Sequence, residues 1–306
     1  MKVLVTGGTG FVGREIVREL HAAGYAVRLL VRNRRSPEAQ EMASRYAAEL
    51  RDGNVLDAAS LPGPLQGADA VIHLVGIISE VGDQTFENVH TRATQNIVGA
   101  SLATGVRRFL HMSALGTRAN ALSRYHQTKW ASEQAMTHSV LDWTIFRPSV
   151  IYGPEDAFVN LFARLAKFSP ILPVMGEGRA VLQPVAVEDV ARCFVGALGE
   201  PRSIRETFDL CGPDELTMPQ ILRAILAATH RRRLIVRVPI NLARGLAASL
   251  EFVYPRLLRK APPLNRDQLL MLQEDNVGEP RRTAEMFGLR QNPFVEGIAR
   301  YLKRDA

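Results

Sequence analysis

The stretch "MKVLVTGGTGFVGREIVREL" constrains this chain more than any other. Lys2 to Thr6 form a short β-rich apolar run, Gly7, Gly8, Gly10 and Gly13 follow, and Ile16, Val17 and Leu20 then recur at helical spacing. That order predicts a strand, a tight turn and a helix. In such a unit the first glycine permits the turn and the middle one lets backbone approach a pyrophosphate. The last lets helix and strand pack closely, with the anion at the helix N-terminus. The spacing GGxGxxG marks Gly7, Gly10 and Gly13 as the working trio, with Thr9, Phe11 and Val12 beside them. The expected ligand is a dinucleotide; a plain strand-to-helix turn is the alternative.

The rest of the first half repeats the alternation. "YAVRLLV", "AELRDGNV" and "DAVIHLV" read as strands bounded by turn residues. "TFENVHTRATQNIVGASLATG" reads as one long helix stopping at Gly105, before the strand "RRFLHMS". A helix from about Ser123 to His138 precedes the strand "DWTIFRP". Near-continuous apolar strands alternating with helices predict a doubly wound parallel sheet covered on both faces. Further on, "GPEDAFVNLFARLAKF" reads as a helix, "RAVLQPVAVEDVARCFVGAL" as strand then helix, and "ETFDLCG" as a strand. From Pro213 onward the pattern is mostly helical. The expected division is a nucleotide-binding domain over 1–152 and about 180–212, with a smaller, mostly helical domain over about 153–179 and 213–306.

Composition narrows the class. The net charge of +7 suggests nucleic acid or membrane, but only five of the 38 basic residues are lysine, and arginine preference of this kind follows genome composition. No nucleic-acid partner is expected. Cys193 and Cys211 lack CxxC or metal-ligand spacing, so buried thiols in a reducing cytoplasm are expected, with no disulfide and no metal. The apolar start ends at Thr6, and no run approaches the roughly 18 apolar residues of a membrane span. A cytoplasmic protein is predicted, at most peripheral at the inner face of the membrane. "LEFVYPRLLRKAPP" pairs apolar positions with Arg256, Arg259 and Lys260, which suits either a membrane surface or partner helix, or a core-facing helix with a solvated edge.

Two further features point to chemistry. At the end of the second strand, where an acid bonds the ribose of NAD and an arginine accepts the extra phosphate of NADP, the chain has Val31, Arg32, Arg34 and Arg35 and no carboxylate. Guanidinium forks match a phosphate dianion, so NADP(H) is expected over NAD(H). Tyr125 and Lys129 in "YHQTK" stand four apart, on one face of a predicted helix. A phenol with a pKa near 10 is a poor acid-base group at neutral pH, and an adjacent ammonium would bring it toward the working range.

Taken together, "TGGTGFVG", "DGNVLD", "HLVG", "YxxxK", "RPSVIYGP" and "QPVAVEDVA" resemble the extended, or atypical, short-chain dehydrogenase/reductases of NAD-dependent epimerase/dehydratase type, over the whole chain. The resemblance implies a Rossmann sheet, with Tyr125 exchanging a proton with the substrate oxygen, Lys129 tuning it and holding the ribose, and Ser113 polarising the substrate. It places Asn54 and Val55 at the adenine, Leu74, Val75 and Gly76 on the cofactor floor, and Pro148 and Ser149 at the nicotinamide. More narrowly, "FLHMSALG", "SRYHQTKWASEQA" and "LQPVAVEDVA" are similar to the group containing the NADPH-binding accessory subunit of respiratory complex I and its bacterial relatives. Two positions depart from the family pattern. Ala114 takes the second place of the usual serine pair, and His90 stands beside the cofactor where many relatives carry asparagine, reading as a satisfied buried residue before it reads as a catalyst. The expected function is an NAD(P)H-binding oxidoreductase-like protein acting on a small molecule that no motif identifies; the alternative is a non-catalytic accessory or assembly protein of the respiratory complex.

Overall fold

The computed structural model describes residues 1–258 and 260–302. The first half alternates β1 (Lys2–Thr6), α1 (Phe11–Ala22), β2 (Ala26–Val31), α2 (Pro37–Tyr46), β3 (Glu49–Asp52), α3 (Pro62–Leu65), β4 (Ala70–His73), α4 (Ala93–Ala103), β5 (Arg108–Met112), α5 (Arg124–Thr137) and β6 (Asp142–Pro148). Then come β7 (Ile151–Tyr152), α6 (Val159–Phe168), β8 (Ile171–Met175), β9 (Val181–Leu182), β10 (Val185–Ala186), α7 (Val187–Leu198) and β11 (Glu206–Leu210). The chain closes with β12 (Leu216–Thr217), α8 (Met218–Ala228), β13 (Leu234–Val238), α9 (Ile240–Val253), α10 (Arg266–Met271), α11 (Pro280–Phe287) and α12 (Phe294–Leu302).

Seven strands form one parallel sheet in the order β11-β6-β5-β4-β1-β2-β3. This is the doubly wound Rossmann arrangement expected from the sequence. The strands are apolar on both sides because both sides are covered. Val3, Val5, Leu29 and Phe146 join Ile16 and Leu20 of α1, Met42 of α2 and Phe194 of α7 on one face. Leu4, Val71, Phe109 and Ile145 join Leu65 of α3, Ile97 of α4 and Met136 of α5 on the other. Strand order reverses between β1 and β4, which opens a crevice at their C-terminal ends.

Three expectations change. The long helix before Gly105 is not uniform: Glu87–Arg92 is a π-helical stretch that runs into α4, and Gly105 follows the C-cap with φ +78°. The helix placed over 153–168 begins only at Val159, because the Asp156 carboxylate accepts from the backbone N–H groups of Phe158 and Val159 and caps it there. The segment after Pro213 also contains β13, which pairs in parallel with β8. Its mixed Leu, Arg and Val pattern is half exposed, so no alternation marked it as a strand. Small clusters around Tyr152, Ile221 and Phe294, around Leu172 and Leu222, and around Ala243, Ala247 and Leu269 hold the later elements together.

Candidate functional site

At the β1–α1 turn, Gly7 has φ +74°, a conformation that favours glycine. A Cβ on Gly13 would lie 2.2 Å from the Gly7 carbonyl and 2.7 Å from the Gly8 Cα, so only glycine lets α1 descend this close to β1. Gly10 is the N-cap and provides no side-chain cap, which leaves first-turn N–H groups of α1 available to an anion. Beside Gly10 a cleft of about 860 Å³ runs across the strand ends. Gly7, Thr9, Gly10, Arg32, Asn54, Val55, Leu74, Val75 and Gly76 all line it. Phe11, Val12 and Gly13 do not: Val12 is in the core, Phe11 packs against it, and both support the loop from below. The dimensions and the free helix end fit a dinucleotide.

The ribose end differs from expectation. Arg34 turns away from the cleft: its Nε lies 3.3 Å from Asp52 and its backbone N–H donates to the same carboxylate. Arg35 is exposed, donates its backbone N–H to Asn33 Oδ1, and does not line the cleft. Only Arg32 of the three is placed on it. A carboxylate is present after all, since the first turn of α2 brings Glu38 into the lining with Asn33 and Ser36. The sequence showed "SPEA", a Ser-Pro helix start with an acid in the first turn, and that start was the available signal.

Tyr125 and Lys129 lie on α5, as expected. Ser123 caps the helix through its hydroxyl, and Asp267 of α10 accepts from the backbone N–H groups of Arg124 and Tyr125, both at 2.8 Å. Arg147 of β6 ties the same helix to the sheet through the buried Glu133. Asp267 was invisible to sequence reasoning, being 142 residues from the group it holds. The Lys129 ammonium is buried, donates to the Met112 carbonyl at 2.9 Å, and stands 3.2 Å from where a Gly76 Cβ would be. The lysine therefore reaches the cleft floor beneath Gly76. Burial, opposed by Glu133, lowers its pKa to about 8. Tyr125 does not behave as predicted, because burial pushes its phenol up to about 12 and Lys129 does not offset that. Its ring sits edge-on to Phe86 and to His90, at centroid distances of 5.9 and 5.2 Å.

His90 is buried within the π-helical stretch. His90 Nδ1 is hydrogen-bonded to the Thr128 hydroxyl at 2.9 Å, and Nε2 lies 3.1 Å from both the N–H and the carbonyl of Ile77. Burial and the Lys129 charge hold its pKa down at about 2, so the ring is neutral. Ser113, at the end of β5, is buried with its hydroxyl 3.4 Å from Thr117 Oγ1. Pro148 accepts from the Leu115 N–H, and the Ser149 hydroxyl donates to Asn276 Oδ1 at 2.6 Å, so the chain after α10 closes over this end. A second cavity, of about 590 Å³, is lined by Phe86, Arg124, Arg244, Glu251, Asp267 and Leu270 among others. Phe86 and Arg124 flank Tyr125, which itself lines neither this cavity nor the cleft.

The model of a family described as NAD(P)H-binding matches residues 7–201, which contain the glycine loop, the cleft and α5. The chain belongs to this NAD(P)H-binding family. Within it, the chain is 30% identical over 284 residues to the mitochondrial NADH dehydrogenase [ubiquinone] 1 alpha subcomplex subunit 9 of Arabidopsis thaliana, covering 89% of this chain and 68% of that protein. It spans 63% of the mouse protein of the same name. It is 31% identical over 238 residues to the ceramide reductase of Caulobacter vibrioides, covering 78% of this chain and 73% of that one. A UDP-glucose 4-epimerase of Thermotoga maritima, solved with UDP-glucose, shares the fold at a TM-score of 0.76, with 20% identity over 100% of this chain and 99% of that one. The protein is thus an NAD(P)H-binding, oxidoreductase-like protein with the fold of that epimerase. Cys193 and Cys211 are buried free thiols, and burial pushes Cys211 up to about 12. Among the described residues no helix is long and apolar enough to cross a membrane.

Proposed function

We propose that the protein is a reductase that prefers NADPH to NADH and delivers the carbonyl proton from Tyr125. The observation that carries this reading is the Lys129 ammonium beneath Gly76, on the helix that places Tyr125 one turn earlier and edge-on to Phe86, which lines a second cavity of about 590 Å³. When bound, the nicotinamide supplies the hydride. Because burial holds the Tyr125 phenol protonated at neutral pH, the tyrosine is poised as an acid, which favours reduction over oxidation. Lys129, charged at neutral pH, holds the cofactor ribose and replaces the proton that Tyr125 gives up. Ser113 is assigned to orienting the substrate oxygen, and Pro148 and Ser149 to the nicotinamide pocket. Arg32 supports the NADPH preference against the opposing charge of Glu38. Residues 1–152 and about 180–212 form the cofactor half of this machine, and the remainder forms the substrate or partner half.

NADPH oxidation over a panel of carbonyl and quinone substrates, repeated with Tyr125→Phe, tests the proposal. Turnover should fall by roughly 10² to 10⁴ while NADPH affinity barely moves. Turnover indifferent to that change would remove Tyr125 from the mechanism. A second reading rests on the kinship with a respiratory NADH dehydrogenase subunit: a nucleotide-binding accessory protein at the inner face of the membrane. Silence across the panel together with recovery of a respiratory complex in pull-downs would favour it.

A further inference from the structure

Large apolar side chains are exposed in one unusual run. Leu242, Phe252 and Leu257 are 67%, 60% and 76% exposed, with Leu246, Val253 and Leu258 beside them. At about 100° per residue, α9 and the π-helical turn after it (Tyr254–Leu258) present three sides. Ala243 and Ala247 are buried against Leu269 of α10. Arg244, Glu251 and Pro255 face the 590 Å³ cavity. Leu242, Leu246, Val253 and Leu257, spaced four, seven and four apart, form an uncovered ridge on the side of the helix turned away from that cavity. A ridge of this length on a soluble surface marks an interaction site.

Charge identifies the partner. Arg256 and Lys260 are exposed beside the ridge, and the Arg256 guanidinium lies 3.9 Å over the Phe252 ring, ready to accompany it into an interface. Arg259 of the same basic run lies outside the described residues. The one carboxylate between 240 and 258 is Glu251, and Arg266 neutralises it at 2.6 Å. Leucine and phenylalanine flanked by unopposed cations match an interfacial helix on anionic lipid. We infer that the α9 ridge seats the protein on an anionic bilayer. This rests on the peripheral location of the second reading above.

Flotation of the full chain with phosphatidylglycerol-containing vesicles, against pure phosphatidylcholine, tests the docking without turnover. The chain should float with the anionic vesicles only. Leu246→Glu with Leu257→Glu should lower partitioning at least tenfold, and Arg256→Ala and Lys260→Ala roughly fivefold each at low salt. NADPH affinity, measured on the same samples, should be unchanged in every variant, which separates a misfolded or misread cofactor site from a misread surface. Absence of flotation, or flotation indifferent to the leucine substitutions, overturns the inference. So does a dimer in sedimentation velocity that the leucine substitutions dissociate.

Discussion

His90 Nδ1 and the Thr128 hydroxyl are hydrogen-bonded at 2.9 Å, in the helical turn between Tyr125 and Lys129. Its other nitrogen meets the Ile77 backbone at 3.1 Å, next to the Gly76 floor, so one neutral ring braces α5 against the cofactor cleft. His90→Leu keeps the bulk and deletes both bonds. Folding stability should drop by about 1–3 kcal/mol for the buried groups left unpaired, and NADPH binding should weaken. Urea midpoints and calorimetry check both; unchanged values would show that the brace is idle.

The glycine loop predicts opposite failures at two positions. A Cβ on Gly10 meets nothing closer than the Gly7 carbonyl at 3.4 Å, so Gly10→Val should fold normally and lose NADPH binding, its side chain standing where the pyrophosphate sits. At Gly13 the same atom would be 2.2 Å from Gly7 O, so even Gly13→Ala should lower the melting temperature. Thermal scans with and without NADPH distinguish the two.

The proposed cofactor preference rests on Arg32 and Glu38, one cation and one carboxylate in the cleft lining. Arg32→Ala should cost NADPH about 2 kcal/mol, more than tenfold in affinity, and leave NADH almost unaffected. Glu38→Gln should weaken NADH and strengthen NADPH. Equal affinities of the unmutated protein for the two cofactors would defeat the assignment.

Lys129 gives stability a distinctive alkaline dependence. Folded, it releases its proton near 8, against about 10.5 when unfolded, so the unfolded chain binds more protons between those values. Stability should therefore rise with pH across that window, by up to roughly 3 kcal/mol. Tyr125 acts in the reverse sense at higher pH: its folded pKa of about 12 lies above the unfolded value of 10.0, so stability falls as pH climbs beyond 10. Lys129→Met should abolish the first rise. Urea midpoints measured from pH 7.5 to 11 report both slopes.

Four buried histidines govern the acid side. His73 is held down at about 3 and His90 at about 2, and His111, stacked on His73 at 5.5 Å, well below its usual range, first by burial and then by Lys129; burial lowers His126 too. Each charges near 6.5 once unfolded, so stability is lost as pH falls below that value, at up to about 1.4 kcal/mol per pH unit for each histidine. Acid unfolding should take up about four protons on these rings, and His111→Gln should reduce the uptake by one. An acid limb with no proton uptake would contradict the burial of these rings.

The chain's local chemistry was enough for the sheet. Apolar strand-length runs alternating with helix-period segments point to a parallel doubly wound arrangement, and α5 appears within a residue of its predicted limits. The glycine loop and the Tyr125–Lys129 pair were legible for the same reason, since each depends on spacing within one element. What the tertiary structure decided involves residues far apart in sequence. Asp267 holds the first turn of α5, Asn276 closes over Ser149, Glu38 enters the cleft that Arg34 leaves, and β13 finds β8. The phenol of Tyr125 shows the difference most clearly: spacing puts a lysine one turn away, but the desolvation that raises its pKa comes from neighbours such as Phe86, which only the packed fold brings against the ring.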